Sequence, residues 1–398
     1  MSAAWQDARA NIAAHPLAWP AARLLRRIAP SLDVPGLGVV VSDATLGHEV
    51  LSRDRDFVKN GAGSIASVVT QAFGPSALAN MDGEAHRQFR QRLGTLADPA
   101  HAEAWLAEAE APFSAALTEL RAGETVDFAS VAQTLSGRLT LALLGAIPDA
   151  PRDRQDAAAR DVHALGERIA GALQLSPLGG SKLARVQRDH ARLIAYAAQA
   201  FAREDLPPAS LVARLKRLGC SEEQTRGVLS IFFVAGALTL GTAIPRLIAL
   251  LIDSGELRTL RANPDSINTA VDEGMRFICP IPATVRIAGC DTALGGHRIA
   301  RGRRIIVLTA NCARDDALFP DGDRFDVRRR HDPRARYLWY GAGPHFCLGF
   351  ALAQRTLRHV IAGVAALPES LRVVRRTAAR RVLLPAWTEL QVRLERAS

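Results

Sequence analysis

Between residues 83 and 260 apolar side chains recur at three- and four-residue intervals, as in HRQFRQRLGTLA, AEAWLAEAEAPFSAALTELRA, VAQTLSGRLTLALLGAI and LARVQRDHARLIAYAAQAFA. That spacing lays one apolar stripe along a helix, so the whole block reads as helical. Strand signals gather outside it. Residues 36–58, GLGVVVSDATLGHEVLSRDRDFV, read as a β-branched strand, a helix capped by Asp43 and a return strand. After one more helix over 263–277, VRIAGCDTALGGHRIARGRRIIVLTA alternates and turns at Gly295-Gly296 and Gly302, as small strands do. A loop rich in Arg, Asp and Pro covers 314–336, a glycine-punctuated turn carries Cys347, a helix covers 350–366, and the tail around RVLLPAWTELQVRL is rich in β formers. The sequence therefore predicts a mainly α protein with small β-sheets. No Pro/Gly/Ser linker or internal repeat divides it, which predicts a single domain over 1–398.

At 48% hydrophobic and 23% charged, the 398 residues suit a globular chain able to bury a large core. Cys220, Cys279, Cys290, Cys312 and Cys347 are odd in number and lack C-x-x-C spacing, which argues against a disulfide framework or a structural zinc site. A reducing cytoplasm is the expected location. The start, MSAAWQDARANIAAHPLAWP, lacks a signal peptide's basic and apolar regions. The longest apolar stretch, 228–251, is broken by Thr239, Thr242, Pro245 and Arg246, so no membrane span is expected. The net charge of +10 comes with only three lysines, Lys59, Lys182 and Lys216; the arginines are scattered among acids, without a basic tail or binding module. Nucleic acid is therefore not an expected partner. A basic docking face for an acidic protein is, with Arg87, Arg92, Arg336, Arg355 and Arg358 as candidates.

The segment LWYGAGPHFCLGFALAQ is the most informative, because Gly341, Gly343 and Gly349 surround one cysteine just before a helix. Glycines let the backbone fold tightly enough for amide N–H groups to point at sulfur, and a following helix N-terminus favours a thiolate. Read alone, such a cysteine is also explained as a small buried hydrophobe beside a helix cap. The segment resembles the haem-binding loop of the cytochromes P450, F-x-x-G-x-x-x-C-x-G, through Tyr340, Gly341, Gly343, His345, Cys347, Gly349 and the Ala351-Leu352-Ala353 helix start. It departs where the family's usual Phe is Tyr340, whose hydroxyl near the sulfur could alter the iron's potential.

Other segments resemble the family in the same order. Glu273 and Arg276, on one helical face, resemble its E-x-x-R pair, which implies a structural charge network with an arginine from 324–330. His86 and Arg90 resemble its H-x-x-x-R; with Arg286 and His345 they are implied to bind the haem propionates. Ala235-Gly236-Ala237-Leu238-Thr239 resembles its A-G-x-(acid)-T, in which Gly236 and Thr239 would face the iron; Leu238 stands where an acid is usual, and Thr242 offers a second hydroxyl one turn on. Each of these pairs, taken singly, is equally a solvated helix face or packed core. Sections 60–80, 279–286 and 383–388 correspond by position to substrate-facing regions.

The resemblance implies the cytochrome P450 fold, an α-rich prism around a buried haem b held by Cys347. It implies a monomeric monooxygenase that uses dioxygen and two electrons, supplied by a ferredoxin and ferredoxin reductase, to oxidise a small hydrophobic substrate, as in secondary metabolism. Two other readings stand beside it. One is a haem-thiolate enzyme of oxidative coupling, desaturation, rearrangement or peroxide-driven chemistry, which Leu238 favours. The other is a haem protein that binds a ligand without turnover.

Overall fold

A computed structural model of the chain describes residues 2–61, 64–74, 78–94, 98–172, 179–368 and 370–395. Of section 60–80, residues 62, 63 and 75–77 lie outside the described residues. The apolar periodicity of the middle block becomes a stack of long helices: Pro99–Ala109, Ala111–Arg121, Phe128–Leu144, Arg152–Ala172, Gly180–Ala202, Leu211–Arg217 and Glu222–Ile231. Asp127 caps the helix Phe128–Leu144 by accepting from Ala129 N–H, and Gly145 ends it in the left-handed conformation. A capping box, Ser221 with Gln224, starts Glu222–Ile231.

That last helix does not stop at Ile231. It passes through a π-helical turn, Phe232–Gly236, into Ala237–Ser254, which runs through the core with most of its residues buried. Ala237–Ser254 is long and apolar enough by length and composition to cross a membrane, yet 78% of it is buried inside the protein. The helix Ile267–Ile278 packs against it.

Three small sheets flank the helices. The largest orders its strands as Ser31–Val34, Gly38–Val41, Arg304–Val307, Thr284–Ala288 and Phe57–Val58, all antiparallel except Gly38–Val41 beside Arg304–Val307. Asp43 caps the intervening helix Ala44–Ser52 through Leu46 N–H at 2.7 Å. The second sheet joins Leu371–Ala378 and Trp387–Leu394 to Val126–Asp127, a short strand inside the block that periodicity marks as wholly helical. The third is the hairpin Thr292–Leu294 with His297–Ile299, turned by Gly295-Gly296.

Two amino-terminal helices, Ala3–Ala14 and Ala18–Ile28, are tied to this core by charge. Arg246 is 1% exposed, and its guanidinium clamps Asp7 with two bonds of 2.9 Å, while Asn11 Nδ2 donates to Asp7 at 3.2 Å. Removing one partner of such a pair leaves the other charge buried and unanswered. Asp7→Ala is therefore expected to cost roughly 3–5 kcal/mol in denaturant unfolding, whereas Asp7→Leu with Arg246→Met recovers most of that loss.

Candidate functional site

The loop bearing Cys347 begins with a backbone that only glycine accepts easily: Gly341 has φ +89° and Gly343 φ +61°. A Cβ on Gly343 would lie 2.8 Å from Leu51 O, so the loop also needs that residue small to seat against the helix Ala44–Ser52. Cys347 N–H donates to Tyr340 O at 3.1 Å, closing the loop just before the helix Phe350–Ala365. Burial raises the Cys347 thiol above its usual range, while Gly349 N–H and the Arg90 charge pull it down.

The loop is held from behind by Glu273 and Arg276, both fully buried. Arg276 donates to the two Glu273 oxygens at 2.6 and 2.8 Å, and to Ala313 O, Gly322 O and Arg324 O at 2.6, 2.9 and 3.2 Å. Glu273 also accepts from Arg329 at 3.2 Å and lies 3.1 Å from His331 Nε2. The His331 ring meets Trp339 edge-on at 5.2 Å, which carries the network to the residue before Tyr340.

The Tyr340 hydroxyl points into a second network. It accepts from Gln354 at 3.3 Å; Gln354 also donates to Asp272 at 3.1 Å, and Asp272 takes further bonds from Tyr337 and Arg336. Among the described residues Tyr340 makes no hydrogen bond to Cys347 Sγ, so its hydroxyl belongs to this helix-to-loop tie and not to the sulfur. Burial, with Cys347 nearby, raises the Tyr340 pKa.

On the other side of the loop the structure assembles a cluster of basic groups from four distant segments. The rings of His86 and His345 stack at 4.0 Å, Arg90 donates to Phe346 O, and Arg286 is 4% exposed. Lys59 joins them, a residue that sequence reasoning counted but did not place. Asp82, also missed, accepts from the backbone N–H groups of Lys59 and Asn60 at 3.0 and 2.7 Å. It lies 3.3 Å from His345 Nε2, in ion-pair range but out of line for a good hydrogen bond. His86 Nδ1 has no partner among the described residues either.

The electrostatics record the crowding. Burial, then the neighbouring His345, Lys59 and Arg90 charges, lowers His86 to about 3. His345 falls to about 4 through burial, opposed by Asp82 and deepened by Lys59 and Arg286. Burial brings Arg286 down to about 10, and burial with the Arg286 charge brings Lys59 to about 7. Buried basic groups of this kind suit carboxylates, to which they can make charge-assisted hydrogen bonds.

Above it lies a cavity of about 510 Å³. Its walls are mostly apolar, among them Trp19, Val69, Ile281, Leu383 and Leu384, and include Ala235, Leu238 and Thr239 from the central helix, Lys59 and Arg286. Gly236 is not among the wall residues. Thr239 Oγ1 donates to Ala235 O at 2.5 Å. Thr242, expected as a second hydroxyl, is 4% exposed, donates to Thr239 O at 3.1 Å and does not wall the cavity.

The basic docking face is largely compensated. Arg87 pairs with Asp54 and Glu84, Arg336 with Asp272, Arg355 with Glu103, and Arg92 donates to Leu218 O.

Solved structures share the architecture. CalO2 matches with a TM-score of 0.81 over 97% of each chain at 22% identity, and P450BioI, solved with a hexadec-9Z-enoic acid ligated acyl carrier protein, with 0.79 over 97% of this chain and 100% of that one, also at 22% identity. The fold is that of the cytochromes P450. The cytochrome P450 family model matches residues 265–364, the stretch with both the Glu273–Arg276 pair and the cysteine loop. "Putative cytochrome P450 140" of Mycobacterium tuberculosis is 38% identical over 135 residues, and "Biotin biosynthesis cytochrome P450" of Bacillus subtilis 34% identical over 135. Those alignments span 33% and 34% of this chain and only 30% and 33% of the relatives. Over the matched stretch the chain is similar to the cytochrome P450 family, and it spans about a third of the length of the curated relatives it matches. His86 Nδ1, buried and without a partner among the described residues, lies beside a cluster of basic groups that would fit a cofactor with acidic arms.

Glu273 gives the site a pH signature. Burial opposes its ionisation, yet the bonds from Arg276 and His331 and the Arg329 charge hold it at about 2, against an ordinary 4.5. A depressed carboxylate stabilises the fold above its ordinary pKa, and that contribution fades as pH falls from there through the folded value. Glu273→Gln is thus expected to lower the melting temperature strongly at pH 7, with the gap from wild type narrowing between about pH 4.5 and about 2 in thermal unfolding followed by circular dichroism.

Proposed function

We propose that the chain is a haem b monooxygenase with Cys347 as the iron's protein ligand, oxidising a hydrophobic or amphipathic small molecule. The observation that carries this reading is the cluster of His86, Arg90, Arg286 and His345, which lies between a glycine-framed cysteine and an apolar cavity. These four groups would hold the two haem carboxylates, and Cys347 Sγ the metal. When bound, the haem supplies dioxygen activation, to which the thiolate contributes electron density.

The chain's own residues do the rest. The apolar walls exclude water and orient the substrate by burial. Leu238 cannot hold a proton, so Thr239 Oγ1 carries the polar function of that turn. Its hydrogen is given to Ala235 O, which leaves its lone pairs to receive a proton-donating water in the cavity. Electrons would come from a ferredoxin-type partner and its reductase, the protein acting as a cytoplasmic monomer formed of one domain; five free cysteines support the reducing compartment. The specific observation favouring a second reading, coupling, desaturation, rearrangement or peroxide-driven chemistry, is Leu238 itself, which walls the cavity where a proton-relaying acid is usual.

Reduced protein under carbon monoxide is expected to show the red-shifted Soret band of thiolate-ligated haem, and Cys347→Ala to abolish it. Retention of that band in the variant would remove Cys347 from the role.

Proton supply separates the two readings. Leu238→Glu is expected to raise product formed per electron consumed with poorly fitting substrates, and Thr239→Ala to raise peroxide release with a well-fitting one. Unchanged coupling in both, measured as product and peroxide per reducing equivalent, would favour the second reading.

A further inference from the structure

We propose that the cavity takes amphipathic organic acids and that Lys59 holds their carboxylate. This deepens the haem reading above and rests on it. Lys59 stands on the cavity wall with Leu238 and Thr239, the residues of the reacting side. Its ammonium forms no hydrogen bond or ion pair among the described residues. The nearby acid is already engaged: Asp82 takes the backbone N–H groups of Lys59 and Asn60 and lies against His345.

The haem carboxylates do not require Lys59. Of the four groups that fit them, His86, Arg90 and His345 are absent from the cavity wall, and Arg286 is shared between wall and cluster. Lys59 is a fifth group, on the cavity side. An unpaired ammonium half-buried in an apolar wall is poorly solvated, and a carboxylate that enters with an apolar body removes that cost while the body covers Ala66, Val69, Ile281 and Leu384. Burial and the Arg286 charge leave Lys59 titrating at about 7, so an arriving carboxylate draws it toward its charged form. Lysine suits this role as a compact charge on a long stem, able to meet acids of different shape.

The test uses the haem-loaded protein with two acids of different shape, dodecanoic acid and naphthoic acid, each against its methyl ester. Binding is read both by equilibrium dialysis and by the shift of the Soret band. Each acid is expected to bind roughly tenfold or more tightly than its ester, as a charge-assisted hydrogen bond allows. Lys59→Met should abolish that preference without changing ester affinity, and Lys59→Arg should retain part of it; Lys59→Gln replaces Lys59→Met if the latter folds poorly. Equal binding of acid and ester by the wild type overturns the proposal, as does an acid preference that survives Lys59→Met. So does loss of haem in Lys59→Met and Lys59→Gln with retention in Lys59→Arg, which would give Lys59 to the cofactor. Failure of the haem reading would look different: no Soret band would form, while dialysis would still report whether acids are preferred.

Discussion

The Glu273–Arg276 pair is the constraint on which the C-terminal half depends. A guanidinium with no exposure must place all its donors, and Arg276 places them on one carboxylate and on three backbone carbonyls of the 313–324 segment. The segment is irregular, and its carbonyls have no strand or helix partners of their own. The helix Ile267–Ile278 thus acts as the template on which a loop folds, and through His331 and Trp339 that template reaches the turn before Cys347. The charge pair is worth having here because it defines a shape, which a greasy replacement of equal stability would not do.

The cluster of basic groups follows the opposite logic. Glu273 and Arg276 are satisfied within the chain, whereas His86, Arg90, Arg286 and His345 have Asp82 as their near acid. Burial opposes ionisation of Asp82, but the adjacent His345 and the bonds from the Lys59 and Asn60 amides hold it below the usual carboxylate range. The folded chain therefore keeps positive potential in a place water reaches poorly. Anything carrying carboxylates into that place stabilises the fold as it binds, by ordinary linkage.

Much of this was legible in the sequence because the signals are local. The helical block shows its period, Asp43 announces its helix, and Cys347 sits in a run whose glycines have backbone reasons to be there. The unread parts are those in which meaning comes from residues far apart. Lys59 and Asp82 gain significance only when the sheet and the helix Gly83–Arg92 bring them beside Arg286 and His345. The helix Ala3–Ala14 escaped because two polar residues on its buried face, Asp7 and Asn11, interrupt the apolar spacing, Asp7 being bonded by Arg246 and Asn11 donating to Asp7. The strand Leu371–Ala378 escaped because its arginines mask the alternation, several of them facing solvent. The Tyr340 hydroxyl was expected near sulfur, since sequence cannot tell which neighbour a buried ring turns its oxygen toward.

The π-helical turn at Phe232–Gly236 has a bearing on how a chain like this can change. A π turn holds one residue more than an α turn, so it absorbs that residue locally, and loss of a single residue there would restore a regular helix without the rotation of about 100° that the same change imposes inside an ordinary α-helix. Ala235, Leu238 and Thr239 stand at that junction and on the cavity wall. A one-codon deletion could therefore change the side chains that this turn shows to a bound molecule in one step, leaving the buried segment from Leu240 onward, anchored by Arg246 to Asp7, in place.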